Sequence, residues 1–327
     1  MDLHILLTNL TNPTLLFFIL GIVAALVRSD LEIPAGSVKF ISLYLLFSIG
    51  FKGGQELAHS HFTLEIAYSL LFGLFLASIV PFYTFFILKR RMSIFDAGAI
   101  AAAYGSVSAV TFVAASSFLE AQHITFGGHM VAVMALMESP AIIVGVILIM
   151  QFDKSNDRDS SEAGKRGQLS HIIHHSFTNG SVLIILGSLV IGLIADTKQA
   201  EGIKPFTTDI FKGFLSIFLL EMGMVTARRF SSFRKYGWFV SLFALLIPAL
   251  NGCVVAALSG VITADVGNRF IFAVLAASAS YIAVPAAMRL AAPKADPGLY
   301  IPMALGVTFP FNITIGMPLY LAIIHAV

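Results

Sequence analysis

Two short stretches of this sequence carry hydroxyls and small residues where an apolar helix would carry Leu or Ile. The first is 104–111, Tyr-Gly-Ser-Val-Ser-Ala-Val-Thr, and the second is 277–281, Ala-Ser-Ala-Ser-Tyr. Each lies in the middle of a long apolar run, and Ser278 follows Ser106 by 172 residues. In hydrocarbon every backbone N–H and C=O must find a partner within the protein. An unwound stretch therefore survives only where it is buried or lines a cavity. Breaking a helix frees N–H groups at one half-helix end, which suit an anion, and C=O groups at the other, which suit a cation such as Na+. Serine hydroxyls donate and accept, so they serve either. The expected anion site is Gly105, Ser106, Val107 and Ser108 with Ser278, Ala279, Ser280 and Tyr281. For one stretch alone, close helix packing is the better explanation of Gly, Ala and Ser. The matched pair favours two broken helices facing each other across a transport site.

Glu138 is the next candidate, in Leu136-Met137-Glu138-Ser139-Pro140. An acid in mid-helix within a membrane points to function. It can coordinate Na+, take up a proton or pair with a cation; the plainer alternative is an acid in a water-filled vestibule. The segment 308–312, Thr-Phe-Pro-Phe-Asn, offers Thr308 and Asn312 as neutral oxygen ligands. With Ser108, Thr111, Glu138 and Ser280 they make up the expected Na+ set. Glu221, Lys52 and Glu56 are explained as well by ion pairs or headgroup contact. Asp96 reads as a helix cap and Arg289 as an interface anchor. His171, His174 and His175 resemble a metal cluster but lie in a polar segment without cysteines, which favours a solvated loop. There is no phosphate-binding Gly-rich loop, Walker-type lysine or nucleophile elbow. Neither an enzyme nor ATP-driven transport is supported, no organic cofactor or nucleic acid is expected, and coupling to an ion gradient is the economical alternative.

The elements that must position these residues are membrane helices. Of 327 residues, 57% are hydrophobic and 12% charged, against about 25% charged in soluble domains. Mean hydropathy is +0.89. The one cysteine, Cys253, excludes an intrachain disulfide, and no cleavable signal peptide is expected after Met1. A span needs about 20 apolar residues. Ten such runs are predicted, near 13–27, 37–51, 64–88, 96–118, 129–152, 182–195, 210–226, 236–260, 268–290 and 300–327, the first two short. Residues 153–175 are polar and charged without apolar periodicity, a linker. The chain thus divides into a five-helix half 1–152, a linker 153–175 and a second half 176–327.

Cytoplasmic loops collect Lys and Arg. With ten spans, 15 of the 20 fall on one side: Arg28, Lys39, Lys89, Arg90, Arg91, Lys154, Arg158, Lys165, Arg166, Arg228, Arg229, Arg234, Lys235, Arg289 and Lys294. Lys52, Lys198, Lys204, Lys212 and Arg269 fall on the other. This places both termini outside and the linker in the cytoplasm. Five helices per half then put the halves in opposite orientations. Leu20-Gly21 matches Leu186-Gly187, Gly50 matches Gly223, Ser106 and Ser108 match Ser278 and Ser280, and Pro140 matches Pro310. The separations are 166, 173, 172 and 170 residues, the pattern of an inverted repeat.

The chain resembles the sodium-dependent bicarbonate transporters of the SbtA type over nearly its whole length. The resemblance is carried by Asn12-Pro13-Thr14-Leu15, Ile33-Pro34, Gly50-Phe51-Lys52-Gly53-Gly54, the stretch 104–111, Met137-Glu138-Ser139-Pro140-Ala141, Met222-Gly223-Met224 and the segment through Arg289. It implies ten helices in two inverted halves, core and gate domains, crossing broken helices 4 and 9, a homotrimer, and Na+-coupled bicarbonate uptake across the inner membrane. It also implies a PII-like regulator docking from the cytoplasm. Two departures stand out: Tyr281 occupies the place of an Asp, and Glu138 that of another Asp, which opens the site to a different small anion. The rival readings are a proton-coupled or cation/proton antiporter working through Glu138, and a membrane sensor without turnover. On the transporter reading, Ser106→Ala or Ser278→Ala lowers uptake and leaves folding intact.

Overall fold

The computed structural model describes residues 11–59, 63–153, 174, 178–233 and 237–327, and among them every regular element is helical. The order is α1 (Pro13–Leu26), α2 (Ala35–Ala58), α3 (Leu64–Leu88), α4 (Ile94–Gly105), α5 (Ala109–Ala121), α6 (His129–Phe152), α7 (Gly180–Ile194), short α8 (Thr197–Glu201), α9 (Phe211–Phe233), α10 (Trp238–Leu258), α11 (Val266–Ala276) and α12 (Ala283–Ala291). The last, α13 (Pro297–Ala326), contains π turns at Ala304–Thr308 and Asn312–Gly316. Seven segments are long and apolar enough to cross a membrane, counting α4 and α5 together as Ile94–Ala121. Three further apolar helices, α1, α7 and α11, are shorter. At 1.5 Å per residue the 14 residues of α1 reach about 21 Å, less than a full hydrocarbon core. Most of the expected polar linker lies outside the described residues, His171 and His175 included.

Helix starts follow local chemistry. Asn12 accepts from the Thr14 amide at 3.0 Å ahead of Pro13, and Asn179 accepts from the Ser181 amide at 2.9 Å. Ser93 caps α4 by accepting from the Asp96 amide at 3.1 Å. Asp96 is thus not the cap but the third helical residue. Its carboxylate accepts from the Ser93 hydroxyl at 2.6 Å and from the Asp296 amide at 2.8 Å, which ties α4 to the start of α13. Asp265 caps α11 through the Asn268 amide at 2.7 Å. The helix expected over 37–51 runs instead to Ala58. Gly53 and Gly54 do not end it, because they are contact residues. A Cβ on Gly53 would come 2.6 Å from Val131 of α6, and one on Gly54 2.1 Å from the Leu189 carbonyl of α7.

Two helix pairs pack most extensively, α2 with α7 and α1 with α9. Both use glycine at the contact. A Cβ on Gly21 of α1 would sit 2.0 Å from the Leu220 carbonyl, and one on Gly223 of α9 would sit 2.1 Å from the Phe18 carbonyl. Likewise a Cβ on Gly192 of α7 would sit 2.2 Å from the Phe51 carbonyl. Gly187, matched to Gly21 in the sequence, meets nothing within 4 Å. The geometric counterpart of Gly21 is therefore Gly192, and that of Gly223 is Gly54. α3, α4 and α6 form a second packed group, and α10 packs on α11. The outward faces of the helices are apolar, with Leu26, Ile194 and Leu258 all exposed, as lipid-facing surfaces must be.

Candidate transport site

Both expected breaks are present. α4 ends at Gly105 and α5 begins at Ala109; α11 ends at Ala276 and α12 begins at Ala283. The two unwound stretches pair with each other across the interior. The Ser280 amide donates to the Ala103 carbonyl at 2.8 Å, and the Ser108 amide donates to the Ser278 hydroxyl at 3.0 Å. Each break thus satisfies backbone groups that the other exposes, as burial in hydrocarbon requires. The Ala277 carbonyl accepts from the Asn312 side-chain amide at 2.7 Å. Ser278 also donates to the Leu275 carbonyl at 2.9 Å, and Ser106 donates to the Glu138 carbonyl at 3.2 Å.

A cavity of about 20 Å³ lies at this crossing, lined among others by Val107, Ser108, Glu138, Ser181, Ser280 and Tyr281. It has room for one water-sized group. Ala109 and Ala283, the first residues of α5 and α12, also line it. Two helix N-termini therefore bring partial positive charge to one point. The Ser108 hydroxyl caps α5 by accepting from the Thr111 amide at 3.2 Å. Glu138 supplies the one carboxylate of the lining among the described residues. Anion-favouring dipoles beside a fixed carboxylate make a place where an anion needs a cation as companion.

A vestibule of about 670 Å³ adjoins this cavity. Ser181, Tyr281 and Ile282 line both spaces. Glu32, Lys39, Glu221 and Arg228 stand along the vestibule, and Arg228 reaches the Leu31 carbonyl at 3.5 Å.

The expected site residues divide into two groups. Val107, Ser108, Glu138, Ser280 and Tyr281 converge on the cavity. Gly105 lies against α3, where a Cβ would come 2.3 Å from Pro81. Ser106 and Ser278 brace the breaks, Thr111 sits behind the Ser108 cap, and Ala279 is buried in the packing of α4 and α12. Thr308 shares a 2.8 Å hydrogen bond with Tyr104 and donates to the Ala244 carbonyl at 2.7 Å. Asn312 accepts from Tyr320 at 3.0 Å while it holds Ala277. These two therefore tie α13 to α10 and to the second break. Ser181 and Leu46 complete the cavity and were not singled out from the sequence. The available signal for Ser181 was the Asn179-Gly180-Ser181 cap that opens α7.

Among the described residues no group of three or more His, Cys, Asp or Glu is placed to hold a metal. Comparison with curated proteins returns no match. The family model of the Na+-dependent bicarbonate transporter superfamily matches residues 13–325. That span takes in both breaks, Glu138 and nearly all of the chain. The chain belongs to the Na+-dependent bicarbonate transporter superfamily, a family of multi-pass membrane transporters and not of enzymes.

Proposed function

We propose that this chain is a Na+-coupled symporter that carries bicarbonate or a similarly small anion across the inner membrane. The observation that carries the reading is the pair of breaks, closed on each other over a cavity that contains Glu138. Val107, Ser108, Ser280 and Tyr281 form the anion side, with Gly105, Ser106, Ser278 and Ala279 holding its backbone. Ser108, Glu138 and Ser280 form the Na+ side, with Thr111, Thr308 and Asn312 supporting it. No cationic side chain lines the cavity among the described residues. Anion affinity then comes from the N-termini of α5 and α12 and from the co-bound cation, which makes Na+ dependence a physical requirement.

The architecture we propose is ten crossings in two inverted halves, 1–152 and 176–327, joined by the linker 153–175. Four matched features support it. The caps Asn12 and Asn179 are 167 residues apart, and the caps Ser93 and Asp265 are 172 apart. The contact glycines Gly21 and Gly192 are 171 apart, and Gly54 and Gly223 are 169 apart. The gate is α1, α2, α7 and α9; the core is α3–α6 with α10–α13, and transport is relative movement of the two. Both termini lie outside. The vestibule beside Lys39 and Arg228 then opens to the cytoplasm, an inward-facing state. A homotrimer and a cytoplasmic PII-like regulator are further expectations of this reading.

Glu138 as the one carboxylate of the lining favours a second reading, in which it carries a proton. Na+ titration of thermal stability separates the two. On the symport reading Na+ protects the wild-type chain, and Glu138→Gln weakens that protection. Protection that follows pH and ignores Na+ assigns the proton-coupled mechanism instead.

A further inference from the structure

Tyr281 stands where the crossing cavity meets the vestibule and lines both. Its ring is braced edge-on against Phe309 of α13, centroids 6.3 Å apart, and Phe309 packs edge-on against Phe18 of α1 at 5.8 Å. Its hydroxyl is buried beside Ser108 but makes no hydrogen bond of standard geometry. Buried hydroxyls nearly always have partners, so an orphan at a cavity wall calls for a ligand. The other hydroxyls around the crossing are engaged. Ser106, Ser278 and Thr308 donate to carbonyls, and Tyr104 shares its bond with Thr308. Among the described residues, the cavity-lining hydroxyls whose protons have no assigned acceptor are those of Tyr281, Ser108 and Ser280 at the breaks and Ser181 at the start of α7.

The three of these hydroxyls that lie in the breaks, on two separate stretches of backbone, suit an anion with acceptor oxygens pointing apart. A cavity of about 20 Å³ is too small for such an anion as it stands. Of the three residues shared with the vestibule, Ser181, Tyr281 and Ile282, Tyr281 has the largest side chain, and its displacement toward the vestibule makes room. Resting on the reading of this crossing as the anion site, we propose that Tyr281 is its specificity-determining residue. Its phenol donates a hydrogen bond to one oxygen of a small oxyanion while Ser108 and Ser280 serve the others. A site built around a donor discriminates against ligands that match it poorly, so monatomic anions are disfavoured.

The test is thermal stability of the purified full chain in Na+, titrated separately with bicarbonate, formate and chloride, for wild type and Tyr281→Phe. Tyr281→Phe keeps the ring on Phe309 and removes only the hydroxyl. The wild type should be protected by bicarbonate and formate, and only weakly by chloride. In Tyr281→Phe the oxyanion midpoints should rise about tenfold or more, as expected for one lost hydrogen bond to a charged group, with the chloride response unchanged. A Na+ midpoint measured without added anion reports that the variant is folded. Should Tyr281→Phe fail that control, Phe309→Leu keeps the phenol, removes its brace and should weaken oxyanion protection in the same direction. Equal bicarbonate midpoints in wild type and a folded variant overturn the role of Tyr281 and leave the transport reading standing. No protection of the wild type by any anion overturns both.

Discussion

Ser278 and Ser280 lie two residues apart in one break, yet the structure gives them different work. The Ser278 hydroxyl is the acceptor for the Ser108 amide at 3.0 Å, and it donates to the Leu275 carbonyl at 2.9 Å. Both partners lie in the buried centre of the chain. Ser278→Ala leaves the Ser108 N–H without an acceptor where no lipid can replace it. An orphaned buried donor costs about 1–3 kcal/mol. Ser280 is tied to the first break by its backbone, through the amide bond to Ala103 at 2.8 Å, which Ser280→Ala keeps. Its hydroxyl makes one weak contact, 3.5 Å from the Val284 amide, so the stability cost should be under about 1 kcal/mol. The predicted outcome is a separation: Ser278→Ala lowers the unfolding temperature in detergent, while Ser280→Ala keeps it and loses Na+-dependent uptake. This revises the sequence-based expectation that Ser278→Ala leaves folding intact. Equal unfolding temperatures for the two variants, or a destabilised Ser280→Ala with wild-type transport, would refute the division of the break into brace and ligand.

Other consequences can be checked alongside. Gly21→Ala or Gly54→Ala places a methyl about 2 Å from a carbonyl of the facing helix; each should destabilise the fold by at least about 1–3 kcal/mol, whereas Gly187→Ala should be neutral or mildly stabilising. His123 closes α5 with φ of +57°, so His123→Gly should raise stability by up to about 1 kcal/mol in a thermal unfolding series. The Lys212–Glu120 pair joins α9 to α5 at 3.2 Å with both side chains about half exposed. Glu120→Gln should therefore change stability by less than about 1 kcal/mol, and a larger loss would mean that this contact holds α9 against α5.

The positions of the breaks were legible because hydroxyls and small residues in a long apolar run conflict with lipid burial, and a conflict repeated at one spacing is informative. The one N-cap read from the sequence, Asp96, fell three residues late: Ser93 caps α4, and since both residue types cap well only the backbone decides between them. The end of α2 was misread because Gly53-Gly54 has the look of a terminator. Its actual role depends on α6 and α7, which no local pattern around residue 53 contains. Thr308 and Asn312 carry the oxygens of ligands, but the acceptors that engage them, Ala244 and Ala277, lie 64 and 35 residues away. Ser181 escaped notice because a serine opening a short apolar helix is ordinary until the fold carries that helix end to the crossing.

The most direct test of the account is uptake of labelled bicarbonate into sealed proteoliposomes, with and without an inward Na+ gradient, for wild type and Glu138→Gln. The account predicts uptake by the wild type that rises with the Na+ gradient and collapses when Na+ is equal on both sides, and a Glu138→Gln chain that needs more Na+ for the same rate. Bicarbonate uptake indifferent to Na+, or unchanged in Glu138→Gln, would contradict the central claim that the crossing binds the anion through its companion cation.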